Sequence, residues 1–387
     1  MSGFRFLTAG ESHGQCLTAI VEGLPAGMLV DIDAINGDLA RRQQGYGRGG
    51  RMKIETDKAE VMSGIRFGET MGDPITLRIT NRDWQNWTDR MSVFGEEFGD
   101  MVTAVRPGHA DLTGVLKYDR ADARDILERA SARETAARVA VGSLCKEFLK
   151  ACGIEVVSHV VKIGGVAVDE AAIDREQIGS GNSELNCYDK AAEEKMKARI
   201  QEAAKAGDTL GGVFEIIVRG VPMGLGSHIQ WDKRLDGKLA AAMMSIQAIK
   251  GVEIGAGFKC GDLPGSEIHD EMFLDDNNSV YRKTNRAGGL EGGMTNGEDV
   301  IVRACMKPIP TLMKPLHSVD IASGEEVMAC KERSDVCAVS AASVVGEAMT
   351  AIVMTEAMLD KFGGDCMTDL LAAIEQYYER VAGVCFL

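Results

Sequence analysis

Ser131-Ala-Arg-Glu134-Thr-Ala-Ala137-Arg-Val-Ala-Val141-Gly-Ser-Leu144-Cys145-Lys-Glu-Phe148-Leu-Lys-Ala-Cys-Gly153-Ile154 is the stretch from which the fold class follows. Ser131 and Glu134 stand at capping-box spacing, and Ala137, Val141, Leu144, Cys145 and Phe148 recur on one side at helical steps. The segment predicts an amphipathic helix ended by Gly153, followed from Ile154 by an alternating, β-type run.

The same alternation of element types extends in both directions. Upstream, residues 4–9 and 17–22 read as short strands flanking the turn Gly10-Glu-Ser-His13-Gly14. Asp33 is placed to cap a helix running into Arg41 and Arg42. Residues 54–105 mix β-type runs, such as Ile75-Thr-Leu-Arg-Ile-Thr80, with turns. Downstream, 174–185 is polar and loop-like, 188–206 a charged surface helix ended by Gly207, 213–218 a strand and 238–247 helical. Residues 251–311 are glycine-rich and read as irregular backbone able to press against a flat ligand. Residues 339–359 and 367–381 close the chain as helices. No low-complexity linker or short repeat divides it, which favours one α+β body over residues 1–387; two pseudo-equivalent halves are the alternative.

The chain of 387 residues is 45% hydrophobic, long enough for a large core, which 5% aromatics leave to aliphatic side chains and 20 methionines. Its balance is 43 − 58 = −15, so the molecule as a whole repels polyanions, and nucleic acid is not the expected partner. The lowest-charge stretch, residues 336–354, contains Glu347 and reads as a buried helix rather than a membrane span. Glu11 interrupts the N-terminal segment before a signal-peptide core could form, so the expected location is cytoplasmic. Ten cysteines show no C-x-x-C pair and no ligand spacing with the six histidines; neither disulfides nor a metal are expected.

Against that acidic background one segment is basic throughout. Arg41-Arg42-Gln-Gln-Gly-Tyr-Gly-Arg48-Gly-Gly-Arg51-Met-Lys53 holds four arginines and a lysine without a carboxylate. It is either a solvated basic loop or a glycine-freed cradle for a small anion carrying carboxylate and phosphate groups. Two histidines, His13 and His109 in Arg106-Pro-Gly-His109-Ala-Asp111, sit in glycine-flanked turns near arginine-bearing loops, a setting suited to an acid held beside an anion. His159, His228, His269 and His317 lack it and read as structural. Arg129-Ala-Ser131-Ala-Arg133 at a helix start could hold an anion or pair with Glu128 and Glu134. Lys307-Pro-Ile-Pro-Thr311 and Arg333-Ser-Asp335 add a cation, a hydroxyl and a carboxylate. Neither glycine run, 255–261 nor 285–297, is a G-x-G-x-x-G, and no Walker A pattern occurs.

Taken together and in order, Gly10-Glu-Ser-His-Gly14, Arg41-Arg42, Gly45-Tyr-Gly-Arg-Gly-Gly-Arg51, Arg106-Pro-Gly-His-Ala-Asp111, Ser131-Ala-Arg-Glu-Thr135, Lys250-Gly-Val-Glu-Ile-Gly255, Ala287-Gly-Gly-Leu-Glu-Gly-Gly293 and Arg333-Ser-Asp-Val-Cys337 resemble the chorismate synthase family. The resemblance implies a β-α-β sandwich, a homotetramer, and anti-1,4-elimination of phosphate from 5-enolpyruvylshikimate 3-phosphate with reduced FMN (FMNH2). By the same resemblance His13 protonates the leaving phosphate, His109 stands near the reduced flavin, protonating it or balancing its charge, and Asp335 is assigned to flavin N5, which helps take the C6 proton. FMN contacts fall on Arg129, Ser131, Gln247, Ala248, Gly293, Lys307, Pro308, Ile309, Pro310, Thr311 and Arg333. Arg42, Arg48 and Arg133 fall to substrate or NADP(H), with substrate favoured for Arg48. Ala130, Pro310 and Thr311 depart from family serines, and Ser334 and Val336 from a histidine and a proline around Asp335. No added domain for flavin reduction is visible, so NADPH is expected to act only through a separate reductase. A bifunctional enzyme and an RNA-binding protein using the basic loop are the competing readings, the latter short of aromatics, with Tyr46 alone in the loop.

Overall fold

The computed structural model describes residues 3–49, 55–96, 98–179, 183–276, 279–330 and 335–382. Strict alternation builds the first sheet: Leu17, Ala19 and Val21 of β2 (Cys16–Glu22) and Ile75, Leu77 and Ile79 of β6 (Ile75–Thr80) face inward, their neighbours outward. With β1 (Arg5–Ala9) and β3 (Ala59–Ser63) they form an antiparallel sheet in the order β1-β2-β6-β3, the small hairpin β4 (Ile65–Arg66) and β5 (Glu69–Thr70) lying beside it. Between β2 and β3 runs α1 (Ile32–Gln43), and after β6 come α2 (Asp111–Tyr118), α3 (Arg124–Ala130) and α4 (Thr135–Ala151).

The second half repeats the plan. β7 (Glu155–Ile163), β8 (Val166–Ala167), β9 (Gly212–Arg219), β10 (Ile249–Ile254) and β15 (Val300–Met306) make an antiparallel sheet in the order β10-β15-β9-β7-β8. Around them stand α5 (Lys190–Ala206), α6 (Leu235–Met244), a short α7 (Gly265–Ile268) and the hairpins β11 (Met272–Leu274)–β12 (Val280–Arg282), β13 (Leu290–Glu291)–β14 (Met294–Thr295) and β16 (His317–Val319)–β17 (Glu326–Met328). α8 (Val339–Phe362) and α9 (Met367–Ala382) follow.

Helices α1, α4 and α8 fill the space between the two sheets, α4 against β2 and β6 and α8 against β7 and β9, so the β-α-β sandwich is borne out. One hydrophobic core runs through all three layers, from Leu17 and Ile79 through Leu144 and Met354 to Phe214 and Val302. Helices α4 and α8 cross so closely that a Cβ on Gly142 would lie 2.3 Å from Ala348, which leaves room only for glycine there. Helix α8 is apolar on every side and its most apolar 18-residue window is 94% buried, as a core helix must be.

Several boundaries differ from the expectation for physical reasons. Asp31, not Asp33, caps α1, its carboxylate accepting from the Asp33 N–H. Ser131 caps a 3₁₀ turn at Ala132–Glu134 and α4 starts only at Thr135; Glu134 turns instead to Arg138 at 2.6 Å and to Gln247 at 2.8 Å. The stretch 251–311 is less irregular than expected, since Val300–Met306 is a central, buried strand of the second sheet. Its run Val300-Ile-Val302 was the signal, diluted by the glycines before it.

Glu347 is 1% exposed in the middle of α8 and ties the layers together. It accepts from Arg41 Nη2 at 2.7 Å and Nη1 at 2.8 Å, from Lys146 Nζ at 2.9 Å and from Ser158 Oγ at 2.6 Å. Burial alone would raise its pKa, but the cations and hydroxyl win and hold it down at about 2. A depressed carboxyl contributes stability above its ordinary pKa of 4.5 and loses it as pH falls toward 2. Glu347→Gln is therefore expected to cost about 3 kcal/mol at neutral pH, because the buried carboxylate that joins Arg41, Lys146 and Ser158 across the layers is lost. The loss of stability between these two pH values should also flatten; urea unfolding at fixed protein concentration across that range checks both.

Candidate active site

A cavity of about 570 Å³ opens where the loops of the first sheet meet the first turns of α8 and the turn after α6. Residues from the turns at 12–13, 48–49, 106–110 and 130–135, from 244–250 and from 306–311 line it.

Both glycine-flanked histidines face this cavity, each held from behind by a buried carboxylate. His13 Nδ1 lies 2.8 Å from Glu128 Oε1, and its backbone N–H donates to Glu128 Oε2 at 2.7 Å. The ring stacks on Trp87 with centroids 3.9 Å apart. His109 Nδ1 lies 2.5 Å from Asp111 Oδ1, and Arg106 grips the same carboxylate through Nε at 2.8 Å and Nη2 at 3.0 Å. Burial would raise both carboxyl pKa values; hydrogen bonds from the histidine and the arginine behind each outweigh it and hold them low. In both pairs Nδ1 is spoken for, which leaves Nε2 for chemistry.

Three guanidinium groups converge on the other side. Arg42 and Arg133, both about 5% exposed or less, share the one carboxylate of Asp57, at 2.7 Å each. Arg133 also donates to Asn81 Oδ1 at 2.8 and 2.9 Å, and Asn81 in turn donates to the Glu11 and Gly14 carbonyls of the His13 turn. Arg48 lies 3.4 Å from Asp335, whose carboxylate accepts from Gly49 N–H at 2.5 Å. Arg42 has its pKa pushed down to about 10: desolvation is the largest cause, and Arg133 and Arg48 repel it, against the attraction of Asp57. Its Nε makes no hydrogen bond. Crowded guanidiniums, one with a lowered pKa and an unused buried donor, describe a site for an anion. The loop reaches this position because Gly45, at φ +128°, passes so close to α8 that a Cβ would meet Ser340 Oγ at 2.4 Å.

A third wall is apolar. Met244, Ile246, Ala338, Ala341, Ala342 and Val345 face the cavity beside Gln247, whose buried Oε1 lacks a partner while its amide donates to Glu134. Ala248 next to it adopts a left-handed φ of 67°, which costs an alanine about 1–2 kcal/mol, and its carbonyl accepts from Lys307 N–H at 2.9 Å. A flat, apolar face bordered by an unsatisfied amide oxygen and by Lys307 and Thr311 suits a heteroaromatic ring with N–H donors and an anionic tail.

Of the residues expected from sequence, His13, His109 and Asp335 line this one cavity, as do Arg42, Arg48 and Arg133. So do Ser131, Gln247, Ala248, Lys307, Ile309, Pro310 and Thr311. Pro308, between two of them, does not. Arg129 turns away, donating to the carbonyls of Gly10 and Thr8 at 3.0 Å. Gly293 lies against Gly226 and Leu235, its carbonyl accepting from Leu235 N–H. Arg333, Arg51 and Lys53 lie outside the described residues. Arg41 does not join the basic loop but is drawn to Glu347 and Asp38. Neither Arg129 nor Arg133 pairs with the glutamates beside it in sequence; Glu128 belongs to His13 and Arg124. Sequence reasoning passed over Trp87, Asp57, Asn81 and the part played by Arg106, whose Nη1 also donates to Thr311 at 3.1 Å. The Arg-x-x-x-Glu spacing of 124 and 128 was the visible trace of the carboxylate behind His13.

The family model for chorismate synthase matches residues 4–359. The chain is 56% identical to a chorismate synthase of Geobacter sulfurreducens, over 97% of this chain and 99% of that protein. It is 54% identical to one of Aquifex aeolicus, over 97% and 98%. A crystal structure of chorismate synthase superposes with a TM-score of 0.78 at 44% identity, over 98% of both chains.

The arginine trio can be tested without an assay. In Asp57→Asn the guanidinium groups lose their shared counterion, and stability is expected to fall by about 3–5 kcal/mol. Inorganic phosphate should then raise the melting temperature of the variant more than that of the parent. Equal responses to phosphate in thermal melts would mean that the trio is not an anion site.

Proposed function

The chain belongs to the chorismate synthase family, and on that footing we propose that the cavity binds 5-enolpyruvylshikimate 3-phosphate beside reduced FMN and removes the phosphate by anti-1,4-elimination. It is a carbon–oxygen lyase of the shikimate pathway. The observation that carries the assignment of residues is that three guanidiniums, two of them sharing Asp57 and the third beside Asp335, face the same cavity as two carboxylate-backed histidines.

In this reading Arg42, Arg48 and Arg133 hold the phosphate and carboxylates of the substrate, geometry for which a planar fork is suited. Elimination breaks the C3–O bond, whose electron pair leaves with phosphate, and the C6–H bond, whose electrons enter the new diene. His13 gives the Nε2 proton to the leaving phosphate, so that a dianion need not depart unassisted. Asp335, held by Gly49 N–H beside Arg48, assists removal of the C6 proton on the opposite face. Reduced FMN, when bound, supplies electron density that eases C–O cleavage, with no net change in its redox state. Gln247, Ala248, Lys307, Ile309, Pro310, Thr311 and Ser131 would hold it against the apolar wall, with His109 balancing its charge.

We assign the chain a single catalytic domain over residues 1–387, supported by the continuous core, and a cytoplasmic location without nucleic-acid or membrane partners, in keeping with its −15 charge. Leu7, Ile20 and Met62 stay 68%, 46% and 56% exposed on the outer face of the first sheet, and this apolar face supports a homotetramer.

The activity is tested anaerobically with dithionite-reduced FMN and enolpyruvylshikimate phosphate, following phosphate release. His13→Ala and His109→Ala should each lower kcat by about 10²-fold or more while the fold, read by circular dichroism, stays intact. Near-parental rates in both would remove their roles.

We further assign reduction of the flavin to a separate reductase, so oxidised FMN with NADPH alone should give no appreciable turnover. Sustained phosphate release under those conditions would instead identify a bifunctional enzyme.

A further inference from the structure

The two histidines are not held alike. At His109 the carboxylate of Asp111 is taken bidentately by Arg106, which also donates from its backbone N–H at 3.1 Å, so much of the negative charge is already matched. Behind His13 the balance differs. Glu128, 2% exposed on α3, receives one arginine bond, from Arg124 Nη1 at 3.2 Å, and that guanidinium is also engaged over Trp87 at 5.1 Å. Both of its oxygens reach the ring nitrogen of His13, at 2.8 and 3.1 Å, and one also accepts the His13 backbone N–H at 2.7 Å. The carbonyl of Glu128 accepts Ser12 N–H at 3.0 Å, and Trp87 stacks on the imidazole at 3.9 Å with 25° between the planes. The turn, the ring plane and the ring rotation are thus all set by groups converging on one side chain.

An ionised carboxylate only accepts hydrogen bonds. The neutral imidazole must therefore carry its hydrogen on Nδ1, the reverse of the tautomer usual for a free side chain, and only Nε2 can take up and deliver a proton. We propose that Glu128 is a positioning residue that fixes the Nδ1–H tautomer and the rotation of His13, so that the proton it delivers is always on Nε2. This rests on the reading of His13 as the acid that meets the leaving phosphate, and it assigns the acid's orientation to a residue 115 positions away in the chain.

The test uses the full-length protein labelled with ¹⁵N-histidine, the His13 signal being identified by its loss in His13→Ala. Ring nitrogen shifts read the tautomer at a pH well above the ordinary imidazole pKa. The parent should show Nδ1–H at His13. Glu128→Gln should keep it, since its amide oxygen can still accept from Nδ1. Glu128→Ala should revert to mainly Nε2–H, and its kcat should fall by about 10²-fold with KM changed by less than about twofold. An Nε2–H tautomer in the parent overturns the proposal even if the alanine variant does not fold. So does Glu128→Ala with the parental tautomer, or with parental kcat. A fully active His13→Ala sinks the acid role instead, without altering what the tautomer says of Glu128.

Discussion

Asp57 stands between Arg42 and Arg133, and the arginine wall of the cavity depends on that shared carboxylate. Two guanidiniums this deeply buried repel each other, and Arg48 adds a third charge nearby. Asp57 compensates the pair at 2.7 Å from each, with Glu55 3.8 Å from Arg133, and so lets two buried cations share one site. The acidic protein around it can stay far from neutral without repelling its own substrate, because field lines in a narrow cavity follow the nearest charges rather than the net one.

The sandwich explains how residues so distant in sequence come to share this cavity. Helices α1, α4 and α8 are locked in register by the close crossing at Gly142 and by Glu347, which binds Arg41, Lys146 and Ser158 from three different elements. Arg41 and Arg42 are successive residues at the end of α1, yet they face opposite ways. One is clamped in the middle layer and the other is thereby aimed at the cavity. The last turn of a helix is also where cationic side chains best complement the helix dipole, so the placement agrees with local as well as tertiary preference. The strained backbone at Ala248 lies on the apolar wall, where local cost is commonly tolerated for a ligand.

The histidines show how similar local sequence can serve different ends. Each sits in a glycine-bearing turn, presents Nδ1 to a carboxylate and faces the same space. Asp111 is two residues from His109, so that pair is nearly a property of its own loop. Glu128 comes to the His13 turn from helix α3, and Arg133, through Asn81, ties the same turn to the arginine cluster. The His13 turn and the arginine cluster are therefore one mechanical unit.

Periodicity alone was enough to locate β1, β2, β6 and α4, and to mark 336–354 as a core helix, because one-sided burial writes itself into spacing. It failed at Val300–Met306, where the first three residues are all buried, alternation appears only toward Cys305, and the strand sits behind glycine-rich turns. The cationic and histidine-bearing motifs could be picked out as chemistry, and as an ordered set they marked the family. What they could not disclose was pairing. Nothing along the chain says that Asp57 joins Arg42 to Arg133, that Glu128 abandons Arg129 for His13, or that Arg41 leaves the basic loop for Glu347. Charge partners are chosen by proximity after folding, and proximity between residues a hundred positions apart exists only once the three layers have packed.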